Sequence, residues 1–178
     1  MPQTLVTDPW APRHEAVTAY IGLGANLGPA LLTLKSALQI LASQPEADCQ
    51  LLACSSFYRS APVDAEGPDF INAVAMLKTT QAPLKFLRWL QELEAQHQRQ
   101  RPYRNAPRTL DLDLLLWGNC ILQEPELQLP HPRMHSRAFV LLPLAELTPD
   151  LEIPTRGTVL DLLSGLAHQP IERLAVND

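Results

Sequence analysis

The chain has 178 residues, 46% of them hydrophobic and 19% charged, and a formal net charge of −5. This composition is typical of a globular protein with a substantial hydrophobic core, and the net negative charge argues against a general nucleic-acid-binding protein. No apolar run is long enough to span a membrane, no signal peptide is evident, and three cysteines without metal-binding spacing favour a reduced, cytoplasmic chain.

The first segment, residues 1–16, is polar and contains prolines, so we expect a flexible N-terminal tail before one domain that spans residues 17–178. Residues 17–24 predict a buried strand, and Pro29 suits the first position of a helix. That helix should bury a stripe of leucines at helical spacing: Leu31, Leu34, Leu38 and Leu41.

The rest of the chain continues the alternation of strands and helices. The predicted elements are two strands (50–60 and 70–79), a helix from Pro83 to about Gln98, a strand ending at Trp117, an extended stretch (121–128) and two helices (134–147 and 158–167). The order through Trp117 is β-α-β-β-α-β, the split pattern of ferredoxin-like α+β domains. We therefore predict a ferredoxin-like core with additional C-terminal helices and short strands.

A glycine-rich stretch, Gly22-Leu-Gly24-Ala-Asn26-Leu-Gly28, joins the first strand to the first helix. Its GxGxxxG spacing differs from the GxGxxG of dinucleotide-binding sites, and the chain contains no P-loop motif. We therefore expect a tight strand-to-helix turn that needs unusual φ angles.

Asp111 and Asp113 form an Asp-Leu-Asp sequence in the last strand of this core. Residues two apart on a strand share a face, so both carboxylates should point the same way while Leu110, Leu112 and Leu114 enter the core. Adjacent carboxylates repel unless a cation lies between them, and Mg²⁺ prefers such oxygen ligands. A solvated strand at a sheet edge is the alternative, but the apolar run that follows favours a central strand with a metal site.

A run of arginines without a lysine lies just before this strand: Arg99, Arg101, Arg104 and Arg108. Guanidinium groups suit phosphate oxygens, and arginines beside a metal are typical of phosphoryl transfer. A solvated loop whose arginines pair with Glu92 and Glu94 is the alternative. Gln91 and Glu94 share one face of the preceding helix, which leads into this loop. The alternative for these two residues is a surface ion pair. His131, between two prolines, is a weaker candidate.

Several stretches occur in the order and with the spacing of one known family, over about residues 18–155. They are Tyr-Ile-Gly-Leu-Gly-Ala-Asn-Leu-Gly (20–28), Ser-Ser-Phe-Tyr-Arg-Ser (55–60), Gly-Pro-Asp-Phe-Ile-Asn-Ala (67–73), Pro-Arg-Thr-Leu-Asp-Leu-Asp (107–113), and Leu-Pro-His (129–131) through Ser-Arg-Ala-Phe (136–139). The fourth is highly specific. Together they make the chain resemble the 6-hydroxymethyl-7,8-dihydropterin pyrophosphokinases of folate biosynthesis.

This resemblance implies a reaction and a site. The reaction is transfer of pyrophosphate from ATP to the hydroxymethyl oxygen of the pterin, giving AMP and the pterin pyrophosphate, with two Mg²⁺ ions. The residues implied to bind metal are Asp111 and Asp113, with Arg99, Arg104 and Arg108 beside them in catalysis. Those implied to face ATP are Gln91, Glu94, Arg101, Arg104, Arg108, Leu114, His131 and Arg137. Those implied to form the pterin pocket are Ser60, Val63, Phe70, Asn72 and Phe139.

Three positions depart from the common family pattern. Asn105 stands where a tryptophan is frequent, Pro132 where a tyrosine is frequent, and Phe70 lacks the hydroxyl of a frequent tyrosine. These changes concern closure and affinity of the pterin pocket rather than the reaction. We expect no nucleic-acid or membrane partner and slightly favour a monomer. The alternatives are an RNA-binding module, which would need exposed aromatics on its central strands, and a relative that binds ATP without turnover.

Overall fold

A computed structural model describes residues 4–5, 8–12, 15–43, 48–62, 67–97 and 109–175. The strands are β1 (Thr4–Leu5), β2 (Val17–Ala25), β3 (Cys49–Cys54), β4 (Tyr58–Ser60), β5 (Phe70–Thr79), β6 (Asp111–Trp117), β7 (Cys120–Gln123), β8 (Gln128–Leu129), β9 (Glu152–Ile153), β10 (Gly157–Thr158) and β11 (Ile171–Arg173). The helices are α1 (Ala30–Ser43), α2 (Pro83–Gln96), α3 (Ala138–Leu147) and α4 (Val159–Ser164). A 3₁₀ turn, Met134–Ser136, precedes α3.

The predicted element order is confirmed from β2 through β6. The strand predicted over 50–60 is divided into β3 and β4, and the helix predicted over 134–147 is divided into the 3₁₀ turn and α3. The leucine stripe of α1 is confirmed in part, because Leu34 and Leu41 are buried while Leu31 remains half-exposed. β11 was not predicted by the sequence patterns, and neither was β1, which lies within the segment expected to be a flexible tail.

The main sheet has the order β11-β4-β5-β2-β6, and β3 also pairs with β5. All of these pairings are antiparallel. β6 ends the row, so the prediction of a central strand is wrong. The strand is nevertheless buried, because residues after β8 cover its outer edge, where the His131 N–H donates to the Leu115 carbonyl at 2.9 Å.

Helices cover both faces of the sheet and form two cores. α1 and α2 pack on one face, and α3 and α4 pack on the other. A β-bulge in the pairing of β2 with β6 places Leu115 and Leu116 in the second core, whereas Leu114 and Trp117 lie in the first. This bulge explains how four consecutive apolar residues of β6 are all buried.

The glycine-rich stretch differs from its prediction. Gly22 and Gly24 are strand residues of β2, and within the stretch only Gly28 has a positive φ, of 60°. The unusual φ expected of the turn is therefore confirmed at Gly28, whereas Gly22 and Gly24 lie in the strand predicted over residues 17–24. Within the described ranges, no helix has the length and apolarity that crossing a membrane requires.

Candidate active site

The two aspartates share one face of β6, as the period-two pattern predicts. Asp111 and Asp113 are half-buried and alternate with Leu110, Leu112 and Leu114, which are all buried. Asp111 is paired with Gly24 and Asp113 with Gly22 on β2. Directly paired residues point to the same face, so the carboxylates lie over the two glycines.

Gly24 lies between two sets of polar residues. It is paired with Asp111 on β6 and with Asn72 on β5. β5 and β6 lie on either side of β2, so at this point they are separated by two strand spacings of about 4.8 Å each. A Cβ atom at Gly24 would lie 3.5 Å from Asn72 Oδ1 and 3.8 Å from Phe70 Cδ1. Any larger side chain would therefore fill the space in front of these residues, and the glycine keeps that space open.

This role of Gly24 was missed in the sequence. The signal was present, since Gly22 and Gly24 occur at the same period of two as Asp111 and Asp113. Glycine is unfavourable within a strand unless something must approach the backbone closely.

The predicted pterin residues lie together where they are described. Ser60 and Phe70 are paired between β4 and β5, and Asn72 Nδ2 donates to Ser60 Oγ at 2.9 Å and to the Tyr58 carbonyl at 3.5 Å. Ser60 and Asn72 are both buried. Phe139, on α3, packs against the core on this same face. Val63 lies outside the described residues.

Glu146 fastens α3, which carries Phe139, to β4. Its carboxylate accepts the Ser56 N–H at 3.0 and 3.1 Å, the Ser56 hydroxyl at 2.9 Å and the Tyr58 hydroxyl at 2.8 Å, and Arg173 of β11 is 3.8 Å away. Burial raises the pKa of Tyr58 to about 12, assisted by its hydrogen bond to Glu146. Burial alone would raise the pKa of Glu146, but the hydrogen bonds from Tyr58 and Ser56 and the charge of Arg173 outweigh it and lower that pKa.

The lowered pKa of Glu146 predicts a stability that depends on pH. A carboxyl group whose pKa is lower in the folded state stabilises the fold above its ordinary value, here 4.5, and loses this contribution as the pH falls through the folded value. We expect Glu146→Gln to be less stable than wild type at neutral pH, with the difference shrinking below pH 4.5. Urea unfolding across this range measures it. The control Glu152→Gln, at an exposed position of β9, should change stability little, and a pH-independent difference for Glu146→Gln would contradict the prediction.

A cavity of about 260 Å³ lies between α2, β6 and the segment that follows β7. Its lining includes five residues implied for ATP or metal: Gln91, Glu94, Asp113, Leu114 and His131. Leu87 and Leu112 supply apolar wall, and residues 125–128 form the opposite rim. The geometry therefore brings together residues that are up to 45 positions apart in the sequence, from Leu87 to Pro132.

Glu94 is buried against β6. Only 3% of the residue is exposed, and its Oε1 accepts the Leu112 N–H at 2.7 Å. Glu94 is therefore not a surface residue, and its carboxylate caps the outer edge of the strand that carries the aspartates. Gln91, one turn earlier on α2, is exposed at the mouth of the cavity.

His131 enters the cavity as a neutral ring. Burial, assisted by the charges of Arg137 and Arg133 and opposed by that of Asp111, lowers its pKa to about 4. The Arg133 N–H donates to Nδ1 at 3.2 Å, so the ring proton is on Nε2. At neutral pH His131 can therefore donate a hydrogen bond from Nε2 without adding charge.

Arg137, implied to face ATP, lies next to Phe139, implied to form the pterin pocket. The Arg137 guanidinium carbon is 5.4 Å from the centroid of the Phe139 ring. The four arginines of the run, Arg99, Arg101, Arg104 and Arg108, lie outside the described residues, as does Asn105. Pro132 is exposed beside the cavity.

The carboxylate pair fits Mg²⁺. This ion commonly takes one or two protein carboxylates and completes its octahedral shell with phosphate oxygens and waters. Asp111 and Asp113 supply hard oxygen atoms on one face, next to a cavity large enough for part of a nucleotide. Such a site is the type used by metal-dependent phosphoryl-transfer enzymes.

Comparison with known proteins identifies the family. Residues 20–149 match the model of the 7,8-dihydro-6-hydroxymethylpterin-pyrophosphokinase family. A 2-amino-4-hydroxy-6-hydroxymethyldihydropteridine pyrophosphokinase of Haemophilus influenzae is 40% identical over 159 residues, covering 89% of this chain and 98% of its own length. One of the same name from Pseudomonas aeruginosa is 44% identical over 156 residues, covering 87% and 95%. The chain belongs to this pyrophosphokinase family.

Solved structures agree at the level of the fold. A crystal structure of Plasmodium falciparum HPPK-DHPS with pteroate superposes with a TM-score of 0.69 at 14% identity. The match covers 85% of this chain and 44% of the solved chain, so this chain spans less than half of that protein. The chain has a mixed α/β fold of the HPPK type, as family membership requires.

Family membership also decides between the alternatives left open by the sequence. The chain is an enzyme, a diphosphotransferase that transfers pyrophosphate from ATP to hydroxymethyldihydropterin in folate biosynthesis. The RNA-binding interpretation is therefore wrong.

Proposed function

We propose that ATP binds in the cavity between α2 and β6 and that the pterin binds on the adjacent sheet face, against Ser60, Phe70, Asn72 and Phe139. The main support is that Asn72 on β5, Gly24 on β2 and Asp111 on β6 are directly paired across the sheet. The pterin residues and the carboxylates therefore lie on either side of a glycine that has no side chain between them. A pterin held by Asn72 would present its hydroxymethyl group toward the carboxylates. The ATP phosphates would meet it there from the cavity side.

In the proposed reaction, the hydroxymethyl oxygen attacks the β-phosphorus of ATP. The bond from that phosphorus to the α,β-bridging oxygen breaks, AMP leaves with this oxygen, and the hydroxyl proton is lost. Asp111 and Asp113 would hold Mg²⁺, two ions being expected, which would neutralise the phosphate charge when bound. Positioning and charge neutralisation supply most of the catalysis in such transfers, so no strong base is assigned.

The protein groups have separate roles in this proposal. His131 donates from Nε2 to a phosphate oxygen, and Arg137 adds positive charge between the two substrates. Leu114 and Leu87 offer apolar contacts to the nucleotide. Arg99, Arg101, Arg104 and Arg108 are proposed for the triphosphate on the resemblance alone, as is Val63 for the pterin.

Our proposal also includes the arrangement of the core and the extent of the domain. We assign the core to the ferredoxin-like arrangement, supported by the order β4-β5-β2-β6 and by both α1 and α2 lying on one face. We also propose a single domain over 17–178, a cytoplasmic location and a monomer.

Formation of AMP tests the proposed function directly. Purified protein should convert ATP and the pterin into AMP and pterin pyrophosphate, with both products absent when Mg²⁺ is chelated. Formation of ADP instead of AMP, or AMP release that does not need the pterin, would contradict the proposal.

Replacing Asn72 tests the pterin site. Asn72→Ala removes a buried amide that holds Ser60, and a bound pterin would lose a polar partner. We expect the pterin KM to rise by about tenfold, with the ATP KM nearly unchanged. A tenfold change corresponds to about 1.4 kcal/mol, which is near the lower end of the roughly 1–3 kcal/mol that a lost buried hydrogen-bond partner costs. Steady-state kinetics with each substrate varied measures both values. An equal rise in both KM values would indicate a general disturbance and contradict the assignment.

A further inference from the structure

A turn in the N-terminal segment packs against α2, the helix that forms one wall of the cavity. Asp8 Oδ1 accepts the Trp10 N–H at 2.9 Å, and the Asp8 carbonyl accepts the Ala11 N–H at 3.3 Å. Pro9 occupies the second position of this turn, where its fixed φ is favourable. The two hydrogen bonds therefore fix the backbone of Pro9 and Trp10. It precedes residues 20–149, the part that matches the family.

The turn contacts α2, one wall of the cavity. The Pro9 carbonyl accepts the Leu84 N–H at 3.2 Å, in the first turn of a helix whose N-cap residue, Ala82, makes no side-chain cap. One turn further along, the Arg88 guanidinium carbon lies 4.3 Å from the Trp10 ring centroid. Arg88 follows Leu87, which lines the cavity. The segment thus supplies a helix cap and a cation–π contact to this wall.

The same segment also contacts the opposite wall. β1 pairs in parallel with β7, with Thr4 opposite Cys120 and Leu5 opposite Ile121. β7 continues into a turn, closed by two backbone hydrogen bonds between Glu124 and Leu127, and returns as β8. Residues 125–128 of this hairpin form the cavity rim.

Arg88 joins the two walls. While its guanidinium stacks on Trp10, it also lies 3.7 Å from the carboxylate of Glu126 on the hairpin rim. The stacking limits the positions that the long Arg88 side chain can adopt, so it directs the charge toward Glu126. The chain Trp10–Arg88–Glu126 therefore crosses the outside of the cavity from α2 to the hairpin.

We propose that Trp10 and Arg88 are positioning residues that hold α2 and the β7–β8 hairpin at the separation that bound ATP requires. The inference rests on the proposed function, which places ATP in this cavity. Neither Trp10 nor Arg88 is among the residues that line the cavity. Both contacts are partly exposed, since Trp10 is 44% and the Arg88 side chain 56% accessible, so their effect is moderate.

The test is the affinity for α,β-methylene ATP. In this analogue a methylene group replaces the α,β-bridging oxygen, so the bond that breaks during transfer is absent. Calorimetric titration with Mg²⁺ present should show that Trp10→Ala raises the Kd about two- to fivefold, the range for a cation–π contact at an exposed site. Trp10→Phe keeps an aromatic face and should restore most of the affinity. The control Leu160→Ala removes a similarly exposed side chain from α4 and should leave the Kd unchanged.

Kinetics and a second variant separate positioning from general stabilisation. Trp10→Ala should raise the ATP KM and leave kcat at saturating substrates within about twofold. Arg88→Ala should have a similar effect, and the double variant should be no weaker than the worse single variant, because both residues act through one contact. An unchanged Kd in Trp10→Ala, failure of Trp10→Phe to restore it, or additive effects would overturn the inference.

Two cavity variants distinguish this failure from failure of the proposed function. Gln91→Ala and Asp113→Ala should both weaken α,β-methylene ATP binding if the cavity is the ATP site. If they do so while Trp10→Ala does not, the positioning role is wrong and the proposed function stands. If neither changes the Kd, ATP binds elsewhere and both are wrong.

Discussion

Asp113→Ala is expected to lower kcat by on the order of a hundred- to a thousandfold, and Asp111→Ala to do the same. Each substitution removes an oxygen ligand from the proposed Mg²⁺ site, in which the two carboxylates share one face of β6. The metal charge acts on phosphate oxygens as the transfer proceeds, so its loss affects the chemical step more than substrate binding. AMP formation at saturating ATP and pterin, as a function of Mg²⁺ concentration, measures the effect.

The fold should survive these substitutions. Both aspartates are only half-buried, and the strand is held in the core by the leucines between them. We expect a change in unfolding free energy within about 1 kcal/mol, measured by urea unfolding of the same preparations. Asp150→Ala, at an exposed position that does not line the cavity, is the matched control and should retain full activity. Turnover within about tenfold of wild type in both aspartate variants would disprove the metal assignment.

Local patterns in the sequence predicted much of this site. Alternation of aspartate and leucine over residues 110–114 is a property of the strand itself, so the shared face of the carboxylates needed no knowledge of neighbouring strands. The helical spacing of Gln91 and Glu94 likewise placed them on one face of α2. These predictions concern residues at most four positions apart, where the backbone geometry alone determines direction.

Pairing between distant segments could not be predicted in the same way. The position of β6 at the sheet edge depends on which strands pair with β2, and its burial depends on a bulge at Leu115 and on the backbone of His131. The attachment of α3 to β4 through Glu146 joins residues 88 and 90 positions apart. No local pattern encodes such contacts. Glu94 combines both cases, because its direction was predictable and its hydrogen-bond partner was not.

Glu94→Ala is expected to lower the unfolding free energy by about 1.5–3 kcal/mol, the range for a hydrogen bond to a charged group. The buried carboxylate accepts the Leu112 N–H at 2.7 Å, and Leu112 lies between Asp111 and Asp113. Because β6 is an edge strand, this N–H would otherwise face the cavity without a partner on β2. Urea unfolding measures the loss, and Glu92→Ala, exposed two residues earlier on α2, is the control that should change stability little.

The same substitution should also impair the enzyme, because the backbone that Glu94 holds is the segment that orients the two carboxylates proposed to bind metal. Glu94→Gln separates the two contributions, since its amide oxygen can still accept the Leu112 N–H but carries no charge. If Glu94 acts only by holding β6, the glutamine variant should recover most of the stability and the ATP affinity together. If its charge also acts on the bound nucleotide or metal, stability should recover while the ATP KM stays raised. Stability of Glu94→Ala within about 0.5 kcal/mol of wild type would contradict the role assigned to this carboxylate, because surface substitutions already cause changes of that size.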